Sequence, residues 1–156
     1  MSPVHLHLAL NHMPILAIPL ALAILLYGIL RGLEEVKKVA LIILVACGLL
    51  VWPVYLTGEP SEEAVEDLPQ VSQSLTESHE DAALFALIAT ELAATTALIG
   101  LLLARRKPLS FAVLAAVLAL AAVASLTLVW TGYLGGQIHH VEIRADAPAP
   151  THRDKD

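Results

Sequence analysis

Leu50-Val51-Trp52-Pro53-Val54-Tyr55-Leu56-Thr57-Gly58 returns, 78 positions later, as Leu128-Val129-Trp130-Thr131-Gly132-Tyr133-Leu134-Gly135-Gly136. The shared pattern LVWxxYLxG closes two different apolar runs, and its reading decides the fold. Working outward from the two copies, apolar runs cover about residues 9–30, 39–57, 82–104 and 109–134. Each is close to the ~20 apolar residues needed to cross a bilayer. The pattern therefore ends the second and fourth of four spans, and the chain reads as two similar helical hairpins. Trp and Tyr at such ends suit the membrane interface, which accounts for their depth but not for the whole nonapeptide. A parallel repeat of this kind implies a pseudo-two-fold axis along the membrane normal.

Composition supports an all-α, integral membrane four-helix bundle. The 156 residues are 57% hydrophobic and 15% charged, too apolar for a soluble domain of this length. The expected organisation is one membrane domain over 1–144 and a disordered tail over 145–156, rich in Ala, Pro and charge. Because no Lys or Arg precedes the first run, and no small-residue cleavage site follows it, that run reads as a retained helix. The lone Cys47, mid-span, excludes an intrachain disulfide and reads as a buried apolar residue.

Charge sets the expected orientation. Arg31, Lys37 and Lys38 lie in the first connection, and Arg105, Arg106 and Lys107 in the third. The 58–81 connection instead holds six Glu, two Asp and no Lys or Arg. Short basic connections stay cytoplasmic, so both termini and the acidic connection are expected outside, on the periplasmic side of a bacterial inner membrane. Pro60-Ser61-Glu62-Glu63 suggests a helix start capped by Ser61, and Ser72 a second start leading into the third span. The acidic segment reads chiefly as a solvated surface helix, or else as a docking face for a basic partner.

Histidine carries the candidate chemistry. His12 lies inside the first apolar run, and a polar residue at membrane depth is a functional candidate. Asn11-His12 and Ser78-His79 open the first and third spans, so His12 and His79 are the expected symmetry mates. On diagonal helices of a bundle, two such imidazoles can serve as axial ligands of one haem b or hold a smaller metal ion. Asn11 could satisfy groups freed by Pro14. Glu77, Glu80 and Asp81 could orient His79 or simply solvate a helix start. Gly135-Gly136 should end the fourth helix and leave His139 and His140 on an extended segment. Glu91, mid-span beside Thr90, Thr95 and Thr96, is expected to be protonated or hydrogen-bonded to a neighbouring helix.

The stretch HLALNHMPI, from His7 to Ile15, together with Gly135-Gly136 and a late histidine, resembles a family of bacterial four-helix membrane domains, domain of unknown function 2231. That family's first helix carries a motif close to H-P-x-x-V-H-F-P-I, matched here by His7, His12, Pro14 and Ile15. This chain has Leu8 in place of the motif's proline and Met13 in place of its phenylalanine, and it differs after the glycine pair. The resemblance implies redox company, since members occur fused to Rieske iron–sulfur domains, and it singles out His140.

The reading that follows is a b-type haem electron-transfer subunit at the periplasmic face. His12 and His79 are its axial ligands, and His7 and His140 contact the cofactor's surroundings. One alternative is a copper, zinc or iron site built from His12, His79, His140 and Glu80. Another is a cofactor-free structural subunit of a larger redox or photosynthetic complex. Expected partners are the lipid bilayer, a cytochrome or Rieske-type protein or a quinone, and further subunits, alike or different, but no nucleic acid. No nucleophile with a partnered base and no phosphate-binding loop is evident, so an enzyme is not expected.

Overall fold

The computed structural model describes residues 2–69 and 71–144. The expected tail and His152 lie outside the described residues. The described chain is all-helical: α1 Pro3–Leu30, α2 Glu34–Leu56, a short α3 Gly58–Glu63, α4 Gln73–Leu103, α5 Phe111–His139 and a 3-10 turn Val141–Ile143. Four of these helices are long and apolar enough to cross a membrane.

Local chemistry fixes the helix ends. Ser2 caps α1, with Pro3 in the first turn where its missing N–H costs nothing. Gly32 takes a positive φ of 67°, the left-handed conformation that ends α1. Its amide and that of Leu33 then bond Ile29 O and Gly28 O. Glu34 and Glu35 open α2 and pair with Lys37 and Lys38 at 2.6 and 2.7 Å. Ser72 precedes α4 as anticipated. The other predicted start is corrected: α3 begins at Gly58 after Thr57, and Ser61 turns its buried hydroxyl back to Thr57 O.

Helices α1 and α4 each pack against both α2 and α5, so α1 faces α4 across a diagonal. The core is small-residue rich, with Ala21, Ala40, Ala86, Ala97, Ala121 and Ala124 among Ile18, Leu25, Leu44 and Val117. Small side chains let membrane helices approach closely. The tightest case is Gly48 of α2, where a Cβ would stand 2.5 Å from the Ala94 Cβ of α4.

Burial repeats between the hairpins in a fixed register. Positions 72 apart on α1 and α4 are buried together: Pro14 and Ala86, Ile18 and Thr90, Ala21 and Ala93, Leu25 and Ala97, Gly28 and Gly100. Positions 77 apart do the same on α2 and α5: Lys37 and Leu114, Ala40 and Val117, Leu44 and Ala121, Cys47 and Ala124, Val51 and Leu128. The two-hairpin reading is therefore visible in the packing, but one residue out of step with the 78-residue spacing of LVWxxYLxG. Val51 is buried whereas its sequence counterpart Val129 is exposed.

Candidate functional site

The acidic end of the bundle encloses a cavity of about 550 Å³, lined from α1, α2, α3, α4 and α5. That size lies within the roughly 300–1,000 Å³ typical of cofactor and small-ligand sites. Its walls are largely aliphatic, with Val4, Leu8, Ile15, Val51, Val54, Leu128 and Ile138. Its polar lining includes His7, Asn11, His12, Glu59, Glu62, His79, Glu80 and His140, and among the described residues neither Lys nor Arg lines it.

Two of the histidines are held in the same way. His7 of α1 places Nδ1 3.0 Å from Val54 O on α2, with Thr57 Oγ1 at 3.3 Å. His79 of α4 places Nδ1 3.0 Å from Thr131 O on α5. A carbonyl oxygen can only accept, so Nδ1 carries the proton in both rings, and the neutral tautomer puts the lone pair on Nε2. Both rings are part-buried. His7 and His79 are 72 positions apart, and Val54 and Thr131 are 77 apart, the same registers that relate the two hairpins. Glycine makes room beside the His79 ring, where a Cβ on Gly135 would stand only 2.9 Å from Cε1, whereas one on Gly58 would meet His7 Cε1 at an ordinary 3.7 Å.

His12 is placed differently from the expected symmetry mate. It borders the cavity, but its side chain is exposed and its Nδ1 donates to Leu8 O of its own helix at 3.0 Å. The position that mirrors His79 belongs to His7. The sequence signal that separates the two is helix register: Pro14 and Ala86 share an environment, and counting back seven residues from each reaches His7 and His79. His5 is exposed and meets Ser2 Oγ at 2.7 Å.

The glycine pair also differs from expectation. α5 runs through Gly135 and Gly136 to His139, so the segment after them is helix and then a 3-10 turn, not extended chain. Gly135 acts as a packing glycine inside the helix, since the His79 ring occupies the space a side chain there would need. Arg144 folds back to donate to Gln137 O at 2.7 Å and Ile138 O at 2.9 Å, closing the end of α5. His140 is exposed on the rim, paired with Glu142 at 2.9 Å. The Glu142 carboxylate is held below the usual range by its own backbone N–H and by His140.

Two buried oxygens on the cavity wall lack a hydrogen-bond partner among the described residues, Asn11 Oδ1 and Glu62 Oε2. Glu62 lies within hydrogen-bonding reach of Glu80 and close to Glu59. Deeper in the bundle, Glu91 sits in the notch left by Gly48, its carboxylate oxygens 3.7 and 3.8 Å from where a Cβ would stand. Its Oε1 is buried, and neither it nor Thr90 Oγ1 has a partner among the described residues, so the expected bond between Glu91 Oε1 and a neighbouring helix is not made there. Also among the described residues, no group of three or more His, Cys, Asp or Glu could hold a metal ion. No protein-family model matches this chain, and no curated protein or solved structure matches it.

Proposed function

We propose that the chain is a b-type haem protein of a bacterial inner membrane, acting in electron transfer at the periplasmic face, with His7 and His79 as the axial ligands. One observation carries this reading. Two imidazoles on diagonal helices line one cavity, and each is turned by an Nδ1–H bond to a main-chain carbonyl, which sets the tautomer in which Nε2 is the nitrogen able to coordinate. Such outer partners fix tautomer and ring direction at metal sites, and two nitrogens meet the needs of a six-coordinate haem iron. Haem, when bound, supplies one-electron redox chemistry. The chain's part is to orient the two rings, wall them with aliphatic side chains and keep bulk water from them. A free metal ion would ask for three or more ligands, which makes the two-ligand haem site the better fit. The resemblance to a membrane family with Rieske-fused members supports redox partners of cytochrome or Rieske type.

The basic connections at one end and the acidic connection at the other support a periplasmic site. The test is a reduced-minus-oxidised spectrum of the chain purified in detergent from haem-replete cells, with haem quantified. A low-spin α-band at one haem per chain is expected, and its absence refutes the assignment. Stoichiometric copper, zinc or iron without haem would favour the metal alternative, and a chain free of both the structural-subunit alternative.

A further inference from the structure

Helix α4 has two faces of opposite kind. Ala86, Ala93, Ala97 and Gly100 are buried in the bundle, whereas Leu84, Ile88, Leu98 and Leu102 are exposed on its outer side. The outer row runs 84, 88, 91, 95, 98, 102, in alternating steps of four and three. That 3.5-residue rhythm is the seam of a left-handed coiled coil. An apolar outer face by itself suits lipid and names no partner. The two middle positions are different: Glu91 is half-buried and Thr95 is exposed. Glu91 Oε1 is buried without a partner, and neither side chain makes a hydrogen bond among the described residues. By contrast, Thr96 on the same helix and Ser125 and Thr131 on α5 each give their hydroxyl to a carbonyl one turn back. Lipid offers no hydrogen bond, so a carboxyl and a hydroxyl at membrane depth call for a neighbouring helix that does.

We propose that α4 pairs with α4 of a second copy of this chain, parallel and in register, along this seam. Loop charge gives every copy the same orientation in the membrane. A two-fold axis along the membrane normal then sets each seam residue beside its own counterpart at equal depth. A side chain at position 91 enters a hole made by four residues of the facing helix, and position 95 one turn on borders that hole. The Thr95 hydroxyl of each copy donates to the Glu91 carboxyl of the other. One surface thus supplies both donor and acceptor, as an isologous contact requires. A single polar layer in an apolar seam fixes its register, and Leu84, Ile88, Leu98 and Leu102 pack on either side of it. The seam shares no residue with the cavity lining, so the pairing stands independently of the haem reading.

The test is resonance energy transfer between donor- and acceptor-labelled full chains in liposomes, labelled through Asp67→Cys on a Cys47→Ala background, as protein is diluted in lipid. Saturable transfer that falls on dilution is expected. Thr95→Val, which removes the hydroxyl and keeps the bulk, should weaken association at least threefold. Glu91→Leu should weaken it at least fivefold, while Glu91→Gln, which still bonds through its amide, should stay within twofold. Circular dichroism checks that each variant folds. On the Cys47→Ala background without the label site, Leu98→Cys should form a disulfide-linked dimer on mild oxidation in the liposomes. Leu126→Cys, exposed on α5, should not. Transfer no greater than random crowding in lipid, equal cross-linking at positions 98 and 126, or association unchanged in both Glu91→Leu and Thr95→Val would overturn the proposal.

Discussion

At the scale of the residue, the haem proposal separates histidines that look alike in sequence. His7→Ala and His79→Ala are each expected to abolish the low-spin spectrum. His5→Ala and His12→Ala should retain it, because their rings are exposed and bonded to Ser2 and Leu8 on their own chain segment. Optical and electron paramagnetic resonance spectra of the four variants decide this directly. Gly135→Ala gives a sharper test. Its Cβ would come within 2.9 Å of His79 Cε1, closer than real Cβ contacts allow, so haem affinity should fall at least tenfold. Gly136→Ala is the control, since its Cβ meets only Ile143 Cδ1 at an ordinary 3.6 Å. The histidines were legible as candidates, but not which one pairs with His79. Asn11-His12 and Ser78-His79 match as strings of letters. Pairing instead follows which face each residue presents, and that is fixed by burial further down the helix, where Pro14 answers to Ala86 and Ile18 to Thr90.

At the scale of the element, helix lengths and turns followed local rules, while the helix termini near the site did not. A glycine pair close to the end of an apolar run ordinarily marks a stop. In α5 the contact with His79 gives Gly135 a different task, and the helix continues to His139. Propensity could not reveal this because the determining neighbour lies on another helix. Gly48 is the corresponding feature between α2 and α4. Gly48→Leu must push the helices apart at Ala94 and disturb the notch holding Glu91. Overpacking of this kind typically costs about 1–3 kcal/mol, so a markedly lower thermal midpoint in detergent is expected. Ile42, exposed on the same helix, is the control, and Ile42→Leu should leave the midpoint unchanged.

At the scale of the whole molecule, the bundle was legible from the apolar runs because length and hydropathy are additive along the chain. The repeat was legible too, but through residues that do not build the site. Trp52, Tyr55, Trp130 and Tyr133 are exposed on the bundle surface, so their match lies outside the packed core. The buried register, 77 positions apart on α2 and α5, is carried by residues as different as Cys47 and Ala124, or Lys37 and Leu114. Such pairs conserve position and volume only loosely, so no letter-by-letter comparison finds them. Orientation is tested on a chain with Cys47 replaced by Ala. Asp67→Cys, on the exposed acidic connection, should react with a membrane-impermeant maleimide added outside intact spheroplasts, whereas Lys107→Cys should react only after lysis. The reverse pattern would place the cavity on the cytoplasmic side.

The acceptors that aim His7 and His79 are main-chain carbonyls, those of Val54 and Thr131. A point substitution replaces a side chain and leaves the carbonyl where it was. The aim of the two rings is thereby insulated from most single-codon change, and the walls and rim can diversify around it. Its weak point is of another kind. One residue inserted into α2 between Gly48 and Val54 turns everything beyond it by about 100° around the helix axis. That would swing the Val54 carbonyl away from His7 while keeping every original side chain in the protein. An alanine insertion there should do more harm to the site than any conservative substitution along the same turn, a vulnerability to frame within the helix that composition alone would never disclose.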